Sequence, residues 1–167
     1  MQRLCQDVDM CQGETVGPVE ESVGYVLKQA AAALRAAMDA ALRPLELTVP
    51  QYACLELLGQ RPGLSNAELA RGAFVTRQSM NGVLRGLQDR GLLTRPATAP
   101  RGRALPTQLT PAGRERLHGA STVVRAVERQ MLTALSPADQ RRLRSDLASC
   151  AVALTPHLAQ DPDNPDE

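Results

Sequence analysis

The sequence predicts a mainly α-helical chain with one small β-hairpin, and three observations carry that prediction. The apolar mass is Leu, Val and Ala, with no Trp, one Phe and two Tyr in 167 residues, a composition that favours helix packing over stacked sheets. Apolar residues recur at helical spacing through most of the chain, as where Met80, Val83, Leu84 and Leu87 fall at i, i+3, i+4 and i+7. After Arg90-Gly91 the spacing changes: LLTR and ALPTQLT are short extended runs either side of PATAPRGR, a Pro/Gly/Arg-rich loop. The length is about one domain's worth, enough to bury a real core.

Residues 1–21 are polar, acidic and without periodicity, as are residues 159–167; both read as loosely ordered tails. Between them, residues 21–42 form an Ala-rich helix with Val23, Leu27, Ala30, Leu34, Ala37 or Met38, and Ala41 on one side. It stops at Arg43-Pro44, because the residue before a proline avoids the α region. A second helix starts at Thr48, where Thr48 and Gln51 form a T-x-x-Q capping box and Pro50 is tolerated in the first turn. Tyr52, Leu55 and Leu58 give its core face, and GQRPG ends it.

Ser65 and Glu68 make a second capping box, opening a short helix to Gly72; Ala73, Phe74 and Val75 then lead to Thr76, the cap of the next helix. Two short helices joined by so few residues describe a helix-turn-helix. The two extended runs supply a wing, with Pro106 confining the second to an edge position. Thr110-Pro111 starts a long helix with a heptad-like seam of Leu117, Ala120, Val124, Val127, Met131 and Leu135. Ser136 to Asp139 caps a final helix carrying Leu143, Leu147, Ala151 and Leu154.

The expected organisation is therefore a winged helix-turn-helix core at 46–110, flanked by long dimerisation helices at 22–45 and 111–158. Their apolar stripe exceeds what the winged core covers, and a two-fold homodimer interface is the economical use for it.

The net charge of +1 hides a polarised distribution. Between Ser65 and Arg116 nine arginines face three carboxylates, a net +6, while the acidic excess sits at the two ends. That local basic segment is the footprint of a phosphate-binding surface. Within it, Arg77, Asn81 and Arg85 fall at i, i+4 and i+8, with Gln78 beside them and no carboxylate among them. Arg pairs bidentately with guanine, and Asn or Gln with adenine, so this face suits the major groove of double-stranded DNA. Charged helix faces are commonly just solvated; the capped partner helix and the wing favour recognition here. Arg71, Arg95 and Arg101 are expected on phosphates, and Arg101 and Arg103 at the wing tip suit a minor groove.

Other chemistries find little support. His118 and His157 are isolated, no paired ligands stand at metal spacing, and no phosphate loop or nucleophile motif occurs. No enzyme, metal or cofactor is expected. No run of 18 apolar residues exists, so no membrane association is expected, and the N-terminus lacks a signal-peptide core. The expected compartment is the reducing cytoplasm, where Cys5, Cys11, Cys54 and Cys150 stay thiols. Cys54 and Cys150 read as small core residues. Cys5 and Cys11, in the tail, keep open an oxidant-sensing reading for the four thiols.

The segments LTVPQYACLELL, LSNAELARGAFVTRQSMNGVLRGLQDRGLLTR, the wing ending Arg-Gly-Arg, and LTPAGRERL resemble, in order and spacing, the MarR family of bacterial transcriptional regulators over about residues 22–154. The resemblance implies a homodimer with interlocking terminal helices, two reading helices in successive major grooves, and wings in flanking minor grooves. It also implies a repressor or activator relieved by a small, often phenolic or other aromatic effector, or by Cys oxidation. Carried over by position, Arg77, Gln78, Ser79 and Asn81 match the family's base-reading residues and Arg103 its wing arginine; Ser65 and Thr76, as helix caps, join the expected DNA-binding set. An effector would sit between the first two helices and the long fifth one, where Tyr25, Arg35 and Tyr52 either line it or simply pack.

Two departures stand out. The family usually has Asp two residues before the wing arginine, where this chain has Arg101, and often Arg or a polar residue where it has Gly82. Gly82 and Gly86 each cost about 1 kcal/mol against Ala inside a helix. Such departures leave a second class open: a winged-helix adaptor that binds protein instead of DNA.

Overall fold

The computed structural model describes residues 18–94 and 107–158, with helical backbone alone at 155–158. After a 3-10 turn at Val19–Glu21 come α1 (Val23–Leu42), a 3-10 turn at Arg43–Leu45, α2 (Val49–Gln60), α3 (Asn66–Gly72) and α4 (Arg77–Asp89). The strands β1 (Leu93–Thr94) and β2 (Gln108–Leu109) precede α5 (Pro111–Met131) and α6 (Pro137–Leu158). The strands pair antiparallel, Leu93 opposite Leu109 and Thr94 opposite Gln108. The chain divides into two compact units at Val124 and Arg125.

Each boundary has a local cause. Ser22 caps α1, accepting from the Tyr25 N–H. Both expected capping boxes are reciprocal: Thr48 with Gln51 on α2, and Ser65 with Glu68 on α3. Thr110 Oγ1 accepts from the Gly113 N–H at 3.0 Å and donates to the Gly91 carbonyl at 2.7 Å, joining the start of α5 to the end of α4. A Cβ at Gly113 would overlap the Leu92 carbonyl, so the first turn of α5 lies on the backbone before β1. Ser136 accepts from the Asp139 N–H at 3.2 Å to open α6.

The first unit holds a core of Leu42, Leu47, Cys54, Leu55, Leu58, Leu64, Leu69, Ala70, Met80, Leu84, Leu87, Leu92, Leu93 and Ala120. It centres on the helix-turn-helix, where α2, α3 and α4 pack on one another. Burial of this kind, at about 25 cal/mol per Å² of apolar surface, is the main favourable term holding the reading helix in place.

The long helices differ. Only Leu42 of α1 is buried, and Val23 is 78% exposed, with Val26 and Leu27 about half exposed. In the second unit no residue from Pro137 to Leu154 is buried. Cys150 therefore corrects the expectation of a core thiol: it is exposed on α6, whereas Cys54 is buried as expected. Sequence spacing could not separate them, since both sit beside apolar neighbours and only packing distinguishes their faces. Leu135 also falls outside the expected seam, because α5 ends at Met131. Among the described residues, no helix is long and apolar enough to cross a membrane. Nor does any group of three or more His, Cys, Asp or Glu among them stand where it could hold a metal ion.

Candidate nucleic-acid interface

The site is built on α4, which splits into two faces. Met80, Leu84 and Leu87 are buried and Val83 half-buried, whereas Arg77, Gln78, Ser79, Asn81 and Arg85 are exposed. At 3.6 residues per turn, Gln78, Gly82 and Arg85 lie nearly opposite the buried stripe, with Asn81 on the flank. Thr76 caps the helix: its Oγ1 accepts from the Ser79 N–H at 3.1 Å and donates to Ser79 Oγ at 2.9 Å. Asn66 Nδ2, in the first turn of α3, donates to the Arg77 carbonyl at 3.3 Å, pinning the start of one helix to the start of the other. From Leu69 to Gln88 the sequence has no carboxylate. The exposed face of α4 is thus cationic and amide-bearing, on a backbone fixed at its N-terminal end.

Among the described residues, neither α4 glycine is required by close packing. A Cβ at Gly82 would meet nothing within 4 Å, and one at Gly86 would only touch Gln51 Nε2 at 3.6 Å. Among the described residues, therefore, no neighbouring helix offsets the cost of Gly82.

Arg71 is exposed in the last turn of α3. Ser65 is half-buried, and its hydroxyl and N–H both donate to Glu68 Oε2, at 2.7 and 2.8 Å. Those two bonds, with smaller help from Arg71 and Arg61, hold the Glu68 carboxyl below its ordinary value of 4.5. Ser65 is thus occupied by its own cap. Arg95, Arg101 and Arg103 lie outside the described residues, as do Cys5 and Cys11.

The expected effector residues are spread over two helices, Tyr25 and Arg35 on α1 and Tyr52 on α2. Tyr25 and Arg35 are ten residues apart, about 15 Å along the axis; both are exposed, and Arg35 faces Asp39 at 4.0 Å. Tyr52 is half-buried and donates to Glu56 Oε2 at 3.2 Å; the same carboxylate accepts from Ser121 Oγ at 3.0 Å and Gln60 Nε2 at 2.8 Å, tying α2 to α5. A separate cleft of about 480 Å³, lined among others by Leu45, Leu92, Arg116 and Gly119, opens between the α1–α2 turn and α5. None of the three expected residues lines it.

One feature of the turn escapes helical periodicity. Three helices close in the same way, with a left-handed residue followed by a backbone bond five residues back. These are Leu47 to Leu42 around Glu46, Val75 to Ala70 around Phe74, and Leu92 to Leu87 around Gly91. Each left-handed residue also donates to the carbonyl three before it, which completes a Schellman motif. Glycine is the usual occupant because it carries no Cβ penalty. Here only Gly91 obeys; Glu46 and Phe74 take φ of 53° and 55°.

A sequence model described as the MarR family matches residues 45–104. The chain is 48% identical over 122 residues to the HTH-type transcriptional repressor Rv2887 of Mycobacterium tuberculosis, covering 73% of this chain and 88% of that one. The solved structure of the M. tuberculosis MarR family protein Rv2887 in complex with DNA superposes with a TM-score of 0.66 at 44% identity, over 77% of this chain and 97% of that one. The complex of the same protein with salicylic acid gives 0.65 at 46% identity, over 77% and 96%.

Proposed function

The chain belongs to the MarR family, and from that premise we propose that it is a sequence-specific DNA-binding transcriptional repressor, released from its operator by a small aromatic or phenolic molecule. The observation that carries the reading is the division of α4: every residue able to read a base edge is exposed, and the apolar stripe behind it is buried. Arg77, Gln78 and Asn81 would discriminate bases, with Ser79 and Arg85 flanking them. Arg71, together with Arg95, Arg101 and Arg103 of the wing, would contact phosphate or the minor groove and supply the salt-dependent affinity. The complexes of Rv2887 with DNA and with salicylic acid support both halves of this reading.

The active species is a homodimer. Val23, Val26 and Leu27 on α1, and Leu147, Val152 and Leu154 on α6, are uncovered in one copy. A second copy related by a two-fold axis would cover them with the same residues. Residues 46–110 then form the DNA-binding domain, and residues 22–45 and 111–158 the dimerisation helices. A repressor of this kind works in the cytoplasm, without enzymatic turnover.

Selection of duplexes from a random library by the purified chain, followed by salt titration on the enriched sequence, tests the reading. The expected product is a pseudo-palindrome with half-sites about 10–10.5 bp apart, centre to centre, whose affinity falls steeply with salt. Failure to enrich any sequence, or a flat salt response, would favour the adaptor instead. Adding salicylate to the enriched complex should release the DNA.

A further inference from the structure

The only phenylalanine of the chain sits where the fold least needs one. Phe74 occupies the left-handed closing position of α3 with φ of 55°, and its side chain is 95% exposed. Both features oppose stability. A β-carbon in the left-handed region strains the backbone, and a solvated ring forgoes burial. Glycine would remove both costs while keeping the two backbone bonds that close the helix, Phe74 N–H to Arg71 O at 3.3 Å and Val75 N–H to Ala70 O at 3.0 Å.

Glu46 accepts the same strain, but its carbonyl and carboxylate both engage Arg90. Phe74 is absent from the core and from the partly buried residues packed against it. Its ring thus has no apolar packing in the core to offset the strain. A strained residue on a working surface is a reason to look for a partner outside the chain.

The surroundings indicate which partner. Phe74 stands two residues before the Thr76 cap and between exposed Arg71 and Arg77, in the stretch from Leu69 to Gln88 that has no carboxylate. An exposed apolar ring flanked in sequence by two exposed arginines suits a polyanion that also has apolar surface, as DNA does in its deoxyribose rings and thymine methyls. We propose that Phe74 is a positioning residue for DNA: its ring packs on a sugar or thymine methyl at the edge of the groove entered by α4, between phosphates held by Arg71 and bases read by Arg77. This rests on the DNA-binding reading above.

The test uses the duplex enriched by the wild-type chain, with Phe74→Gly, Phe74→Leu and the control Arg77→Ala. Phe74→Gly should melt no lower than wild type, yet bind the enriched duplex roughly ten-fold more weakly, the scale of one lost apolar side-chain contact. The slope of log affinity against log salt should not change, because no charge is removed. Phe74→Leu should keep part of the affinity. Unchanged affinity of Phe74→Gly, while Arg77→Ala loses discrimination, would overturn the assignment and leave the ring to a protein contact. A changed salt slope would also overturn it. If no duplex is enriched at all, the DNA reading and this inference fall together.

Discussion

Arg90, which ends α4, donates through Nη1 to the Glu46 carbonyl at 2.6 Å, while its Nη2 lies 3.6 Å from the Glu46 carboxylate. Glu46 is the left-handed residue of the turn between α1 and α2, so one guanidinium fastens the far end of the reading helix to the base of α1. Arg116 of α5 clasps the same turn through the Leu45 carbonyl.

The two contacts of Arg90 should not count equally. The carboxylate side chain of Glu46 is 79% exposed, and solvent-exposed pairs contribute little. A charged donor on a carbonyl contributes more, about 1.5–3 kcal/mol. Arg90→Ala should therefore lower unfolding stability by about 1–2 kcal/mol in urea melts, whereas Glu46→Gln should stay within about 0.5 kcal/mol of wild type. Equal losses would mean that the carboxylate dominates.

Base reading by Arg77 has its own measure. Arg77→Ala should cost about 1–3 kcal/mol of discrimination at one base pair per half-site, read as the ratio of affinities for enriched and single-substituted duplexes. Weakening by the same factor on every duplex would assign Arg77 to phosphate instead.

Gly82 should separate stability from function. With open space around its Cβ position, Gly82→Ala should raise helix stability by about 1 kcal/mol. If the helix backbone lies close to the bases, the same variant should bind the enriched duplex more weakly. A variant that is more stable and binds unchanged would mark Gly82 as tolerated drift.

The cap of α3 should respond to acid. Hydrogen bonds from Ser65 depress the Glu68 carboxyl below 4.5, so its contribution to stability is present above that value and lost as pH falls through the lower folded-state value. Glu68→Gln should therefore melt below wild type near neutrality, and the gap should close as the solution is taken well below pH 4.5. A gap independent of pH would show that the carboxylate charge plays no part.

Much of this molecule is decided by local chemistry, and local chemistry is legible in a sequence. Thr48 with Gln51, Ser65 with Glu68, Thr76 with Ser79, and Ser136 with Asp139 start their helices wherever they occur, because each satisfies orphan N–H groups within three residues. The two faces of α4 follow from its period alone. Sequence could not decide which apolar residues find cover within one chain. Cys54 and Cys150 have similar neighbours in sequence, yet one is fully buried and the other lies on an uncovered helix. Nor does periodicity reveal that Phe74 closes α3 in a left-handed turn, since its conformation is set by how α3 and α4 pack, bringing Val75 onto the core while the ring is left outside. Burial depends on contacts between residues distant in the chain, and only the folded arrangement supplies those.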